Sequence, residues 1–224
     1  MRSRVVWCGV VLLLVASVLA TACEGTVPFG GLRGSGNLVT ETRDVSDFDE
    51  IVVLGSGNVI VDVTGTESLE LEAEDNLMEF LTSEVVNGRL ELGFESGQLL
   101  SPRRDITYTI TAAQLIGVTI RGSGDIDVAH VDTDTFAVEI SGSGNVVPEG
   151  ASDHVAVTIS GSGRFDGTDL ESATGQVRVS GSGNVTVNVT EDLDITISGS
   201  GDVKYIGDPS LNTSISGSGD ISQK

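Results

Sequence analysis

Three aspartates follow Gly-Ser-Gly triplets and are the residues best suited to hold a metal ion: Asp125, Asp202 and Asp220. Gly122-Ser-Gly-Asp-Ile-Asp127 matches part of the calcium-binding nonapeptide G-G-x-G-x-D-x-U-x, and hard carboxylate oxygens suit Ca²⁺. That motif recurs about every nine residues and fills both corners of each turn. Here the triplets begin at Gly34, Gly55, Gly122, Gly142, Gly161, Gly181, Gly199 and Gly217, and the next residue is often Asn, or once Arg164. The expectation is no dedicated metal site, with Asp125, Asp202 and Asp220 as the calcium candidates. Acid–base catalysis would need clustered titratable groups. The two histidines, His130 and His154, both stand beside acids at turn positions, and the pairs Asp132/Asp134 and Asp166/Asp169 also fall in turns, where solvation accounts for them. Basic residues (12, against 33 acidic) are too few and scattered for a groove that grips an acidic polysaccharide. The Gly-Ser-Gly segments lead into strand, whereas a phosphate cradle opens a helix. The pattern therefore predicts no enzyme and no cofactor.

The elements that must position these residues are strands. Phe136, Val138, Ile140; Val155, Val157, Ile159; and Leu193, Ile195, Ile197 alternate strictly before each glycine corner, which is the period of half-buried strand. The triplets recur every 18–21 residues, apart from one step of 67. A fixed period near 20 signals units that bury their apolar faces only by stacking. The expected fold is all-β: a parallel, right-handed β-helix (solenoid) with about 18–21 residues per turn. Degraded repeats are expected to run through the 67-residue gap. Roughly nine or ten turns at about 4.8 Å would then make a rod about 40–50 Å long.

The first residues are a targeting segment. Arg2 and Arg4 precede an apolar run, Val5 to Ala20, which is short for a membrane span. Leu19-Ala-Thr-Ala-Cys23 closes it, resembling a bacterial lipoprotein signal, with Ala20 where that pattern usually has Leu. The expected organisation is a signal peptide over 1–22, lipidation at Cys23, a tether over 23–33 and one domain over 34–224. Removal of the signal takes away Cys8, Trp7 and two arginines, so the mature chain has no disulfide and is more acidic than the −21 of the full sequence. Such a charge, taken over the whole surface, disfavours nucleic acid and anionic membrane.

Some local features are legible. Asp75 with Leu77, Phe80 and Leu81 at helical spacing predicts a short helix. Asn87-Gly88 predicts a tight hairpin turn. The Asn or Asp after each triplet is expected in left-handed backbone at the corner. Arg121, Ser141, Ser160, Ser180, Ser198 and Ser216 precede triplets and follow inward residues, so they should line up outward as one column. Ser123, Ser143, Ser162, Ser182, Ser200 and Ser218 are expected as corner residues. The last rung shows no polar cap, and end-to-end self-association is expected there.

Val45-Ser-Asp-Phe-Asp-Glu-Ile51, Gly55-Ser-Gly-Asn-Val59, Ala73-Glu-Asp-Asn-Leu77 and Asn87-Gly-Arg-Leu-Glu-Leu92 follow one another with spacing similar to the bacterial head GIN domain family. That family is described as auto-transporter adhesin heads. The resemblance covers nearly all of residues 34–221, and it implies a β-helix-like fold and a surface role without catalytic residues. Together these readings give a non-catalytic, exported lipoprotein of the bacterial envelope, facing outside the cytoplasm and anchored to the membrane through Cys23. It would act as an adhesin-like module for glycan or protein ligands. The alternative is a structural, self-associating envelope rod; a polysaccharide-active β-helix enzyme ranks behind both.

Overall fold

In a computed structural model, residues 31–97 and 99–224 are described. The expected signal segment, Cys23 and most of the tether lie outside them. Among the described residues seventeen strands form in chain order: β1 (Leu32–Arg33), β2 (Leu38–Arg43), β3 (Glu50–Val53), β4 (Asn58–Val63), β5 (Ser68–Glu74), β6 (Leu81–Val86), β7 (Arg89–Phe94), β8 (Leu100–Ser101) and β9 (Thr107–Ala112). They continue as β10 (Gly117–Ile120), β11 (Asp125–Ile140), β12 (Asn145–Ile159), β13 (Arg164–Gly181), β14 (Asn184–Gly199), β15 (Val203–Ile206), β16 (Ser210–Gly217) and β17 (Ile221–Gln223).

From β10 onward every pairing is parallel, and one turn of chain stacks on the last. Strands β11 to β14 are long because each runs along one face, bends, and continues along the other. The alternating residues point inward at every level: Ile126, Phe136, Val138, Ile140, Val146, Val155, Val157, Ile159, Phe165, Val177, Val179, Leu193, Ile195 and Ile197 are all buried. The fold is the expected parallel β-solenoid, with about five turns.

The rung order differs from the expected one. Gly122 does not lie three rungs from Gly55 but directly on it: the Ser123 N–H donates to the Gly55 carbonyl at 3.0 Å, and β10 pairs with β3. The intervening chain turns to the other side of the Gly55 rung. There β7 pairs with β3 and β9 with β4, so a single further level is built from residues 89–112. Two strands then run backwards: β6 against β7, and β5 between β9 and β2. The rod is thus shorter than nine or ten turns, because the gap was spent on an antiparallel sector and not on hidden coils.

Two local expectations also changed. The segment after Glu74 forms only a 3₁₀ turn, Met78–Phe80, and Asp75 does not cap it; Leu77, Met78 and Leu81 are buried as its anchors. The corner Asn and Asp residues are not left-handed; among the described non-glycine residues only Asp47, Asn87 and His130 have positive φ. The hairpin at Asn87-Gly88 forms as expected, with φ of 53° and 80°, joining β6 to β7 as a two-residue turn of that type requires.

The triplet glycines answer to stacking. A methyl group at Gly122, Gly142, Gly161, Gly181, Gly199 or Gly217 would collide with the carbonyl oxygen of the first glycine one rung away. Only a residue without Cβ permits that approach.

Candidate binding surface

The triplet corners build one continuous edge. Each triplet serine donates its backbone N–H to the first glycine of the neighbouring rung, from Ser123 on Gly55 to Ser218 on Gly199, at 2.8–3.0 Å. Their hydroxyls remain exposed at Ser123, Ser143, Ser162, Ser182, Ser200 and Ser218. The residue before each triplet follows a buried Ile or Val, so strand alternation turns it outward. Arg121, Ser141, Ser160, Ser180, Ser198 and Ser216 are accordingly exposed and stacked. The edge is therefore a double file of hydroxyls, repeating at the rung spacing of about 4.8 Å.

Beside it runs a ladder of the residues that follow the triplets. The Asp125 carboxylate accepts both the backbone N–H (3.0 Å) and the side-chain amide (2.7 Å) of Asn145. Asn184 accepts the N–H of Asp202, and Asp202 accepts that of Asp220 at 3.0 Å. Asn and Asp recur there because a side-chain oxygen can satisfy the next rung's donor. Two of the three calcium candidates thus have a structural use, Asp125 and Asp202 each committing an oxygen to a neighbour, while Asp220 takes part through its backbone N–H. Among the described residues, no group of three or more His, Cys, Asp or Glu is placed to hold a metal ion.

The histidines lie apart. His130 sits at the opposite edge with φ 60°, its Nδ1 2.7 Å from Asp62 Oδ1. That hydrogen bond, reinforced by the charge of Asp62, holds the imidazole above its ordinary 6.5. His154 Nδ1 meets the Thr174 hydroxyl at 2.8 Å. Asp166 accepts the Thr168 hydroxyl at 2.6 Å, while Asp169 is exposed. Asp132 and Asp134 line an open depression with Asp153 and Glu171. Beneath it the buried Ser152 and Ser172 hydroxyls satisfy each other at 2.9 Å. The two histidines make separate contacts, His130 with the Asp62 carboxylate and His154 with the Thr174 hydroxyl.

Sequence reasoning missed Glu74, a buried carboxylate at the other end of the rod. It accepts the backbone N–H of Gly36 at 2.6 Å and of Arg103 at 2.8 Å. Burial alone would raise it, but these N–H groups and that of Arg104 outweigh burial and hold it below its ordinary 4.5. Beside it the Ser35 hydroxyl donates to Asp75 and holds that carboxyl low, while Asn76 accepts the Ser35 N–H and donates to the Arg33 carbonyl. The first triplet, Gly34-Ser-Gly36, therefore stands off the corner column and wraps a carboxylate. The available signal was the motif Ala73-Glu-Asp-Asn-Leu77, whose acids were read as the start of a short helix.

Three crystal structures share this architecture. An adhesin-named protein of Bacteroides fragilis superposes with a TM-score of 0.70 at 24% identity, covering 87% of this chain and 100% of that one. One from Parabacteroides distasonis gives 0.56 at 19%, covering 86% and 99%. A protein of the same organism named for lipid binding gives 0.55 at 24%, covering 86% and 99%. At these identities the likeness concerns the fold. No curated protein matches the chain in sequence. Residues 47–209 match the family described as "Putative auto-transporter adhesin, head GIN domain". With the stacked corners from Gly55 to Gly199 and the antiparallel strands β5 and β6 inside that span, the chain belongs to the head GIN domain family, whose description is of an adhesin-type surface module.

Proposed function

We propose that this chain is a non-catalytic, lipid-anchored module of the bacterial surface that binds glycans or proteins along its serine edge. The observation that carries this reading is the unbroken double file of exposed hydroxyls on a rigid parallel stack. Many weak polar contacts at fixed spacing suit an extended polymer better than a small ligand, since their sum depends on simultaneous engagement. Family membership supports the adhesin character, and the lipoprotein-like pattern Leu19-Ala-Thr-Ala-Cys23 supports anchoring through Cys23. The test is a screen of the purified mature chain against glycans, matrix proteins and whole cells. Saturable binding that is abolished by Ser162→Arg with Ser182→Arg, in a protein of unchanged circular dichroism, is the expected result. Absence of saturable binding to every ligand class would refute the reading.

A second reading, self-association at the last rung, is favoured by a specific contrast. Leu211 and Ile215 are 42% and 47% exposed, while Leu193 and Ile197, one rung beneath, are 1% and 0% exposed. No ionisable residue lies between Pro209 and Gly219, so the exposed strand itself carries no charge, although Asp208 and Asp220 flank it. Light scattering at high concentration should show dimers or filaments, and a persistent monomer refutes it.

A further inference from the structure

One end of the rod differs in composition from the rest of this acidic chain. The short strands β1 and β8 pair in parallel, Leu32 with Leu100 and Arg33 with Ser101. Leu99 beside them is 76% exposed, Leu32 is 38% exposed, and Leu38 and Val39 on the adjoining β2 are 44% and 41% exposed. Arg103 and Arg104 stand on the same loop, lining an open depression with Ser35, Gly36 and Asn37. Other arginines at this end are engaged: Arg43 with Glu41 and the Leu81 carbonyl, Arg89 with Glu50. Arg33, Arg103 and Arg104 are exposed and form no ion pair among the described residues. Glu74 and Asp75 nearby carry negative charge, but Glu74 is buried under N–H donors and Asp75 is bonded to Ser35, while Asp105 stands exposed beside Arg104. Glu74 also fixes the loop by its Arg103 amide, so the guanidinium groups start from a fixed backbone.

This end is where the chain arrives from its anchor. From Cys23 to Leu32 the backbone can span roughly 30 Å at most, so the patch stays close to whatever membrane holds the lipid. Exposed leucines interspersed with cations are the composition that settles into an anionic headgroup layer. We propose that β1, β8, Leu99 and the Arg33, Arg103 and Arg104 side chains form a membrane-contact surface. It seats on anionic phospholipid headgroups and holds the rod with its last rung pointing away. The proposal rests on anchoring at Cys23, and the test supplies that anchor chemically so that the two stand apart.

The mature chain, with no tryptophan and Cys23 as its only cysteine, is coupled through that thiol to a maleimide lipid in vesicles. The vesicles are either phosphatidylglycerol–phosphatidylcholine or phosphatidylcholine alone. In Leu99→Trp, emission should shift to shorter wavelength and be quenched by brominated acyl chains on the anionic vesicles. Ile215→Trp should show neither effect. Raising the salt, or combining Arg33→Glu, Arg103→Glu and Arg104→Glu, should weaken the contact at least about tenfold. Equal behaviour of the two tryptophan probes, or insensitivity to both salt and charge reversal, overturns the proposal. Metabolic labelling that finds no lipid on Cys23 in cells would overturn the anchoring reading while leaving a positive vesicle result intact.

Discussion

The regular array from β10 to β17 and the sector from β2 to β9 use the same materials to different ends. Both alternate apolar and polar residues, and both contain Gly-Ser-Gly corners. In the array each rung repeats the last, so backbone donors, glycine contacts and the apolar column all propagate in register. In the other sector β5 and β6 run antiparallel, and the outermost strands carry Glu41, Arg43 and Glu84. A parallel stack is a template for its own extension; reversal of direction and charges at the edge are ways to stop it. The comparison teaches that the fold is closed at one end by changed topology, while the last described rung keeps the array's open form.

The sharpest way to test that contrast is through glycine. Gly161→Ala puts a methyl against the Gly142 carbonyl in the middle of the array and should cost about 3 kcal/mol or more. Gly65→Ala, in the other sector, meets nothing within 4 Å but sits at φ 83°. It should cost only about 1–2 kcal/mol, the strain of left-handed backbone. Denaturant midpoints of the two variants check this, and equal costs would erase the distinction between stacking and turning glycines.

Within the array, Ile197→Ala removes a fully buried side chain and should destabilise by about 3–4 kcal/mol. Ile215→Ala, its partner on the last rung, should cost about 1 kcal/mol or less, because half the side chain is already in water. If the two are equally damaging at high protein concentration and unequal at low, the last rung is covered by a second copy.

In the antiparallel sector, Glu74→Gln should loosen the first triplet and speed amide exchange at Gly36 and Arg103 more than anywhere in the array. The folded carboxyl lies below 4.5. Its contribution is therefore complete above that value and is lost as pH falls through the depressed one. The variant should show a shallower acid limb in melting temperature against pH, and an unchanged limb would mean that other carboxylates set it.

The smallest effect is expected at the His130–Asp62 pair, which is solvent-exposed and screened by salt. The folded imidazole lies above 6.5, so its contribution is complete below 6.5 and is lost as pH rises through the raised value. In Asp62→Asn an NMR titration should move His130 back towards 6.5, with little change in stability.

Much of the molecule was readable before its shape was known. Strand alternation told which side chains enter the core, and every inward Val, Ile and Phe named from 136 to 159 is buried. The hairpin was legible because Asn-Gly satisfies two adjacent positive φ angles by itself. The outward serine file followed from parity alone. The purpose of the corner Asn and Asp was misjudged: a local preference suggested left-handed backbone, while the actual use is a bond to a residue 18–20 positions away. Glu74 was invisible for the same reason, as its partners lie 38 and 29 residues distant.

By itself the sequence determined that this chain is a stack of glycine-cornered strands with a hydrophobic interior, and which side chains face outward. These are consequences of a two-residue period and of positions where a Cβ cannot fit, both encoded within each repeat. Only the tertiary structure decided which rung lies on which, with Gly122 on Gly55 and the antiparallel sector displaced to one end. Backbone hydrogen bonds carry no residue identity, so an open strand edge accepts whichever segment reaches it in register, and that choice is made by the folded whole.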